Sequence, residues 1–282
     1  MLAAARQPRE ICSNVKPIAA SFSKAASSYQ HAARLQRQVA FAALTTLTAV
    51  KPQIQQAFGH LLDLGCGPGW LQPTLLQQAE RLTAIDFSAG MLAQAASQGL
   101  AIDYVLADAA AIPLADNSVD TIFSSLMLQW CPAPGLVFAE IARVLKPGGH
   151  AVITTLVDGT LVELAHAFAA VDDYAHIHPF LSTAALLANT QTATAKSLNW
   201  QLTQQTYALP YADIFDLARE LKALGANHLA RRAKAGLTGK GYWQQVAAAY
   251  PAQNAQGELL ASYQVVQLLA SKPSSLCQLT AV

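Results

Sequence analysis

The sequence predicts an α/β protein built on a doubly wound, mostly parallel sheet. Three observations predict it. Strand-like and helix-like apolar segments alternate from about residue 60 onward, and a glycine-rich stretch, Asp63-Leu64-Gly65-Cys66-Gly67-Pro68-Gly69, joins the first strand to the first helix. An acidic residue, Asp86, closes the next strand. Repeated βα units of this kind bury the apolar strands beneath crossover helices, and the parallel sheet is the economical solution.

Ahead of the sheet, Ile18, Phe22, Leu35, Val39, Ala43 and Leu47 fall largely at helical spacings, which predicts N-terminal helices. Strands are expected at 60–64, 81–85, 104–106, 121–124 and 151–156. Helices are expected at 71–78, 89–97 and 136–145, the last ended by Pro147-Gly148-Gly149. Beyond residue 157 the pattern becomes Ala-rich and helical at 161–171, 183–188, 214–224 and 243–250, while strands at 198–209 and 258–269 complete the sheet edge. The expected organisation is a single domain over 16–270, with its core at about 51–157. A helical insertion at about 158–250 forms a lid, and the last strand lies at about 258–269. A disordered extension at 1–15 and a tail at 271–282 flank it.

Of the 282 residues, 53% are hydrophobic and 12% charged, which excludes a disordered chain. The stretches poor in charge carry Pro, His, Asn, Gln and Thr, so no segment supplies the roughly 20 apolar residues of a spanning helix, and no membrane partner is expected. Arg6, Arg9 and Glu10 interrupt the N-terminus, which reads as lacking a secretory signal and gives a cytoplasmic expectation. Cys12, Cys66, Cys131 and Cys277 are far apart, indicating neither a disulfide framework nor a metal site. A formal charge of +1 argues against a globally basic nucleic-acid binder.

Gly65, Gly67 and Gly69 stand where backbone must approach a ligand closely. A nicotinamide fingerprint, G-x-G-x-x-G, would place a further glycine at position 70, which is Trp70 here. Asp86 can accept both hydrogen bonds of a ribose diol, a feature common to both cofactor classes. Asp108, at the end of the third strand, can accept from an adenine amino group, and Asp63 from a cationic ammonium, directly or through water. Asp86 and Asp108 also have a plainer reading as helix N-caps or turn residues.

In this order, followed by Lys146-Pro147-Gly148-Gly149 before a strand, these features resemble the class I S-adenosylmethionine-dependent methyltransferases, which are Rossmann-like. Read with Leu128-Gln129-Trp130-Cys131 and Thr154-Thr155-Leu156-Val157, the glycine loop resembles the malonyl-acyl-carrier-protein O-methyltransferases of biotin synthesis. So do Ile18 to Phe22, Tyr29, Leu35 to Gln38, and Leu221 to His228. The likeness extends over about 16–269 and implies S-adenosylmethionine as methyl donor, S-adenosylhomocysteine as product and no metal. Cys66, Phe87, Met91, Ala109 and Ser124 join Asp63, Gly65, Gly67, Gly69, Asp86 and Asp108 as the cofactor residues it implies.

The implied reaction methylates the free carboxylate of a malonyl thioester on acyl carrier protein. Such a carboxylate, with a reference pKa of about 4, is ionised at neutral pH, so no catalytic base is expected. It must find donors once water is excluded. Tyr29, His176 and His178 are the candidates. The family often has an arginine just before the Phe of Asp173 to Phe180, where this chain has Pro179. The histidines could equally decorate a surface loop, and Tyr29 could simply cover the sheet. Arg37 and Gln38 are further candidates for the methionine end of the cofactor.

Lys222, Arg231, Arg232 and Lys234 form a basic run that could dock an acidic carrier protein or remain a solvated face. A monomer is expected. Two readings stand beside the carboxylate methylation: a methyltransferase for a quinone or another small metabolite, and a cofactor-binding module without turnover.

Overall fold

The computed structural model describes residues 16–50, 57–225 and 239–274. The strands are β1 (His60–Leu64), β2 (Arg81–Asp86), β3 (Asp103–Leu106), β4 (Val119–Ser125), β5 (Leu145–Leu156), β6 (Asn199–Tyr211) and β7 (Leu259–Ser271). They form a seven-stranded sheet in the order β3-β2-β1-β4-β5-β7-β6. Strands β1 to β5 pair in parallel, and β7 runs antiparallel between β5 and β6. The order reverses between β1 and β4, so the crevice for a ligand lies at the carboxyl ends of these strands.

The helices are α1 (Lys16–Ala32), α2 (Arg34–Val50), α3 (Gln72–Leu76), α4 (Ala89–Ala96), α5 (Pro134–Val144), α6 (Val162–Ala169), α7 (Thr183–Asn189), α8 (Ile214–Ala223) and α9 (Lys240–Ala248). No helix among the described residues is long and apolar enough to cross a membrane. The central strands are apolar on both faces because helices cover both. In β1, Leu61 faces a cluster with Ala43, Leu47 and Leu75, whereas Leu62 and Leu64 face another with Ile122, Phe138 and Ile141. This is the two-residue period of a strand sorting neighbours to opposite cores. A third cluster, around Leu164, Phe168, Leu217, Val246 and Tyr263, joins α6, α8 and α9 to the far half of β6 and β7.

The insertion expected at 158–250 consists of two helical parts separated by β6, which belongs to the main sheet. The crossover from β4 to β5 also differs in its boundaries. Helix α5 starts at Pro134, whose missing N–H and fixed φ suit a first turn, and β5 begins directly at Leu145. Lys146 to Gly149 form an irregularity inside the β4–β5 pairing, where Gly148 has φ +82° and its N–H donates to Lys272 O at 2.8 Å.

Two packing details position the ligand crevice. Helix α1 crosses α4 at Gly90, where a Cβ would lie 2.7 Å from the Ser23 Cα, so only glycine admits this approach. The Ser23 and Ser88 hydroxyls lie 2.8 Å apart at the crossing. The loop after β3 is held by Arg143 of α5, which donates to Ile112 O, Leu114 O, Asp116 and Glu140 at 2.7–2.8 Å, while Glu140 accepts from Ile112 N.

Removing the Arg143 guanidinium takes the side-chain donor from two carbonyls and the positive partner from the half-buried Glu140. Arg143→Gln is expected to cost about 2–4 kcal/mol of unfolding free energy, read by urea denaturation. A loss of less than about 1 kcal/mol, the scale of an exposed ion pair, would refute this anchoring role.

Candidate functional site

The glycine loop leaves β1 in the left-handed region, with φ +75° at Gly65, +55° at Gly67 and +77° at Gly69. The Gly65 and Cys66 amides both donate to Ile85 O, which docks the loop on the end of β2. Gly69 does not line the crevice. A Cβ there would fall 2.8 Å from Ala95 Cβ and 2.5 Å from Gln72 Oε1, so this glycine lets the loop pack against α4.

Asp86 is the junction of the site. Its Oδ2 accepts from Gly67 N at 2.9 Å and its Oδ1 from Ser88 N at 2.8 Å. It is not the N-cap of α4; Ser88 is, accepting from Met91 N. Asp63 is buried beside it and, among the described residues, its side chain has only a long 3.5 Å contact from Gln72 Nε2. Burial pushes Asp63 up to about 7 against the Gln72 hydrogen bond, with Asp86 adding to the rise. Burial likewise lifts Asp86 to about 6, opposed by hydrogen bonds from the Ser88, Gly67 and Phe87 amides. Two poorly solvated carboxylates thus sit side by side, an arrangement that a cation relieves.

Gly65, Asp86, Phe87, Asp108 and Ala109 line one narrow cleft of about 30 Å³, roughly the space of a single water. Asp108 follows β3 and its Oδ1 accepts from Ala110 N at 2.9 Å, so this half-buried side chain serves the turn and lines the cleft at once. The Met127 side chain lies against Gly65, where a Cβ would come within 2.2 Å of its Cγ. Cys66 is half-buried in the loop, and burial, then Asp63 and Asp86, push its thiol well up. Met91 is buried under Phe22, Ala26 and Tyr29, and Ser124 is fully buried on β4 with an unpartnered hydroxyl among the described residues.

A second cavity, of about 400 Å³, opens between α1, α6, α8, α9 and the loop at 172–180. Tyr29, His176 and His178 all line it, so the structure brings together three residues from distant parts of the chain. Trp130 lines both cavities and is packed edge-on by Phe22 at 5.3 Å. Burial and then the Asp86 charge push the Tyr29 phenol far above its ordinary range, so it remains a donor at any physiological pH.

His176 stacks on Phe168 with ring centroids 4.0 Å apart, and its Nε2 lies 2.7 Å from Asp172 Oδ1. The Tyr242 hydroxyl donates to the other Asp172 oxygen at 2.8 Å. Burial favours protonation of Asp172, but the hydrogen bonds from His176, Tyr242 and Tyr174 N outweigh it and hold this carboxyl at about 2. His178 packs on Trp130 and places Nε2 3.1 Å from Gln129 O.

Arg37 lies 5.0 Å over the Trp70 ring and Gln38 is exposed; neither lines these two cavities. Lys222, in contrast, lines the large cavity. Arg231, Arg232 and Lys234 lie outside the described residues. Sequence reasoning missed Gln36, which lines the cavity with a buried Oε1 that has no hydrogen-bond partner among the described residues. It also missed Glu220, which accepts from Arg34 at 2.8 Å and from the Tyr211 hydroxyl at 2.9 Å. Among the described residues, no cluster of three or more His, Cys, Asp or Glu side chains could hold a metal.

Residues 62–153 match the methyltransferase domain family. Among solved structures, the YcgJ protein from Bacillus subtilis superimposes with a TM-score of 0.57 at 17% identity, covering 83% of this chain and 100% of that one. The Bacillus halodurans protein BH2331 gives 0.54 at 16%, covering 82% and 99%, and both likenesses concern the fold alone. By sequence, the chain is 40% identical over 259 residues to the biotin biosynthesis bifunctional protein BioHC of Cellvibrio japonicus. That match covers 92% of this chain but spans only 50% of the relative's length. It is 37% identical to the malonyl-[acyl-carrier protein] O-methyltransferase of Serratia marcescens, covering 89% of this chain and 93% of the relative. With identity at this level over about nine tenths of both chains, the chain belongs to the malonyl-[acyl-carrier protein] O-methyltransferase family.

Proposed function

We propose that this protein transfers the methyl group of S-adenosylmethionine to the free carboxylate of a malonyl thioester carried by acyl carrier protein, making the methyl ester used in biotin synthesis. The observation that carries the reading is the pairing of two sites across Trp130. On one side is a loop with two poorly neutralised buried carboxylates, and on the other a cavity of about 400 Å³ lined by Tyr29, His176 and His178. The names of the relatives support the acceptor and the carrier protein.

The residues at the crevice fit the donor. Asp86 has lone pairs left for a ribose diol after serving two amides, Asp108 for an adenine amino group, and Asp63 for an ammonium. Phe87 and Ala109 supply apolar surface and Gly65, Cys66 and Gly67 a close backbone, while Gly69, Met91 and Ser124 lie packed behind the cleft and support it. When bound, S-adenosylmethionine supplies an electrophilic methyl on a sulfonium.

The acceptor carboxylate arrives ionised, so the protein's work is to orient it and exclude water. Phe22, Trp130 and Phe180 do the excluding. The protonated Tyr29 hydroxyl donates to the carboxylate. His176 is oriented by Asp172 and the Phe168 ring, and His178 by Gln129 O. The Arg231, Arg232 and Lys234 run remains the proposed docking face for an acidic carrier. No metal enters this reading, and the chain is expected to act as a cytoplasmic monomer.

Incubating the purified protein with methyl-labelled S-adenosylmethionine and malonyl thioesters, carrier-bound and free, should give a base-labile methyl ester at the free carboxyl. No ester from either would overturn the assignment.

The carboxylate pair predicts a pH dependence. A bound cation favours ionised Asp63 and Asp86, so affinity for S-adenosylmethionine should rise from pH 5.5 and level off above about 7, with protons released on binding below that. Calorimetry in buffers of different ionisation enthalpy reads this directly, and pH-independent affinity would contradict it. Asp86→Asn should weaken binding by about 10- to 100-fold.

Stability of the ligand-free protein should run the other way. Both carboxyls titrate above their unfolded values, so the folded state holds more protons, and this stabilisation is lost as pH rises through about 6 and 7. Asp63→Asn should therefore flatten the fall in Tm between pH 5.5 and 8. An unchanged fall would place its cause elsewhere.

A further inference from the structure

The large cavity must hold an anion, and its charged lining residues are mostly committed. Glu220 is bound by Arg34 at 2.8 Å and by the Tyr211 hydroxyl at 2.9 Å, and the Arg34 guanidinium lies 4.5 Å over the Tyr211 ring. His176 shares its Nε2 with the ionised Asp172, so any positive charge on it is balanced locally. His178 directs Nε2 to a backbone carbonyl. Lys222 is the one Lys or Arg lining the cavity among the described residues, and its side chain has no ion pair or hydrogen bond among them.

Packing sets Lys222 beside the right wall. The end of α8 is fastened to α1, where the Ser28 hydroxyl donates to Ala223 O at 2.9 Å. Gly225, with φ +71°, closes on the same helix, and a Cβ there would stand 3.2 Å from Ala25 Cβ and 3.4 Å from Phe22 Cα. Lys222 is thus next to a residue bonded to Ser28, the neighbour of Tyr29. Phe22 of that helix touches both Phe87 and Trp130, the side of the cavity that adjoins the nucleotide cleft. A lysine stem is long and flexible, and its ammonium is a mobile point charge suited to closing over an anion once it enters.

We infer that Lys222 is the cation that neutralises the acceptor carboxylate, acting with the Tyr29 hydroxyl, rather than a member of the carrier-docking run. The inference rests on the proposed methylation of a malonyl carboxylate. A buried carboxylate without a positive partner is costly, whereas one ammonium and one phenol give it charge balance and two donors. The same pair discriminates product from substrate. The methyl ester is neutral and gains nothing from the ammonium, so esterification removes the attraction that held the substrate.

The test compares wild type, Lys222→Gln and Lys222→Arg on malonyl-coenzyme A and on malonyl-acyl carrier protein, with the methyl ester product as a competitive inhibitor. In Lys222→Gln, KM should rise by about 10- to 100-fold on both substrates, kcat should change far less, and Lys222→Arg should recover most of the loss. Inhibition by the neutral ester and the Tm should stay as in wild type. A KM increase confined to the carrier-bound substrate would make Lys222 a docking residue and overturn the inference, as would an equal loss of affinity for the neutral ester or no effect at all. Wild-type protein that forms no ester on either substrate would instead remove the proposed function, a result visible before any substitution is made.

Discussion

Asp86 holds the site together by spending one carboxylate on two loops. Its two oxygens take the amide of Gly67, from the turn after β1, and the amide of Ser88, from the turn after β2. The glycine loop, the start of α4 and, through the Ser23–Ser88 contact, helix α1 are therefore registered against one another. Because α1 carries Phe22 and Tyr29, the geometry of the acceptor cavity descends from the same junction. A carboxylate suits this task because amide-to-anion hydrogen bonds are stronger than neutral ones, and burial keeps water from competing for them.

That junction carries a cost. Asp63 and Asp86 are both buried, repel each other, and have few donors for the charge they acquire near neutral pH. A site optimised for the ligand-free fold would replace one of them with an amide. Two such carboxylates side by side suit a site for a positively charged ligand, whose binding free energy includes relief of this repulsion. The loop at 172–180 shows the opposite economy. Asp172 is shared by His176, Tyr242 and the Tyr174 amide, which stabilise its charge enough to keep it ionised.

Much of the sheet was legible because central strands such as β1 and β4 are short apolar runs bounded by turn residues, a pattern set by burial on both faces. The glycine loop was legible for a different reason, since Gly65 and Gly67 occupy backbone conformations that side chains resist. Less could be read where two residues compete for one role. Asp86 and Ser88 are both good helix caps, and only the fold shows that Ser88 caps α4 while Asp86 bridges loops. The Arg34–Glu220–Tyr211 group joins positions up to 186 residues apart, and no local pattern announces it. Lys222 begins a basic run in sequence, and only the fold shows that it also lines the large cavity. The gathering of Tyr29, His176 and His178 was accessible only through family resemblance, because spacing along the chain says nothing about which distant segments meet.

The narrow cleft proposed for the donor and the large cavity proposed for the acceptor touch at Trp130 but are built from different apolar clusters. Leu64, Ile85, Ala107 and Met127 around the cleft belong to the core between the sheet and α5, whereas Leu161, Leu164, Phe168 and Tyr242 around the cavity belong to the cluster at the far end of β6 and β7. A change of volume in one cluster is absorbed largely by its own neighbours, since packing losses fall on the atoms that line the gap. A lineage could therefore reshape the acceptor wall in many small steps while the donor site stays intact and the chain stays folded. Descendants of such a protein would be expected to diversify in what they methylate long before they change what they methylate it with.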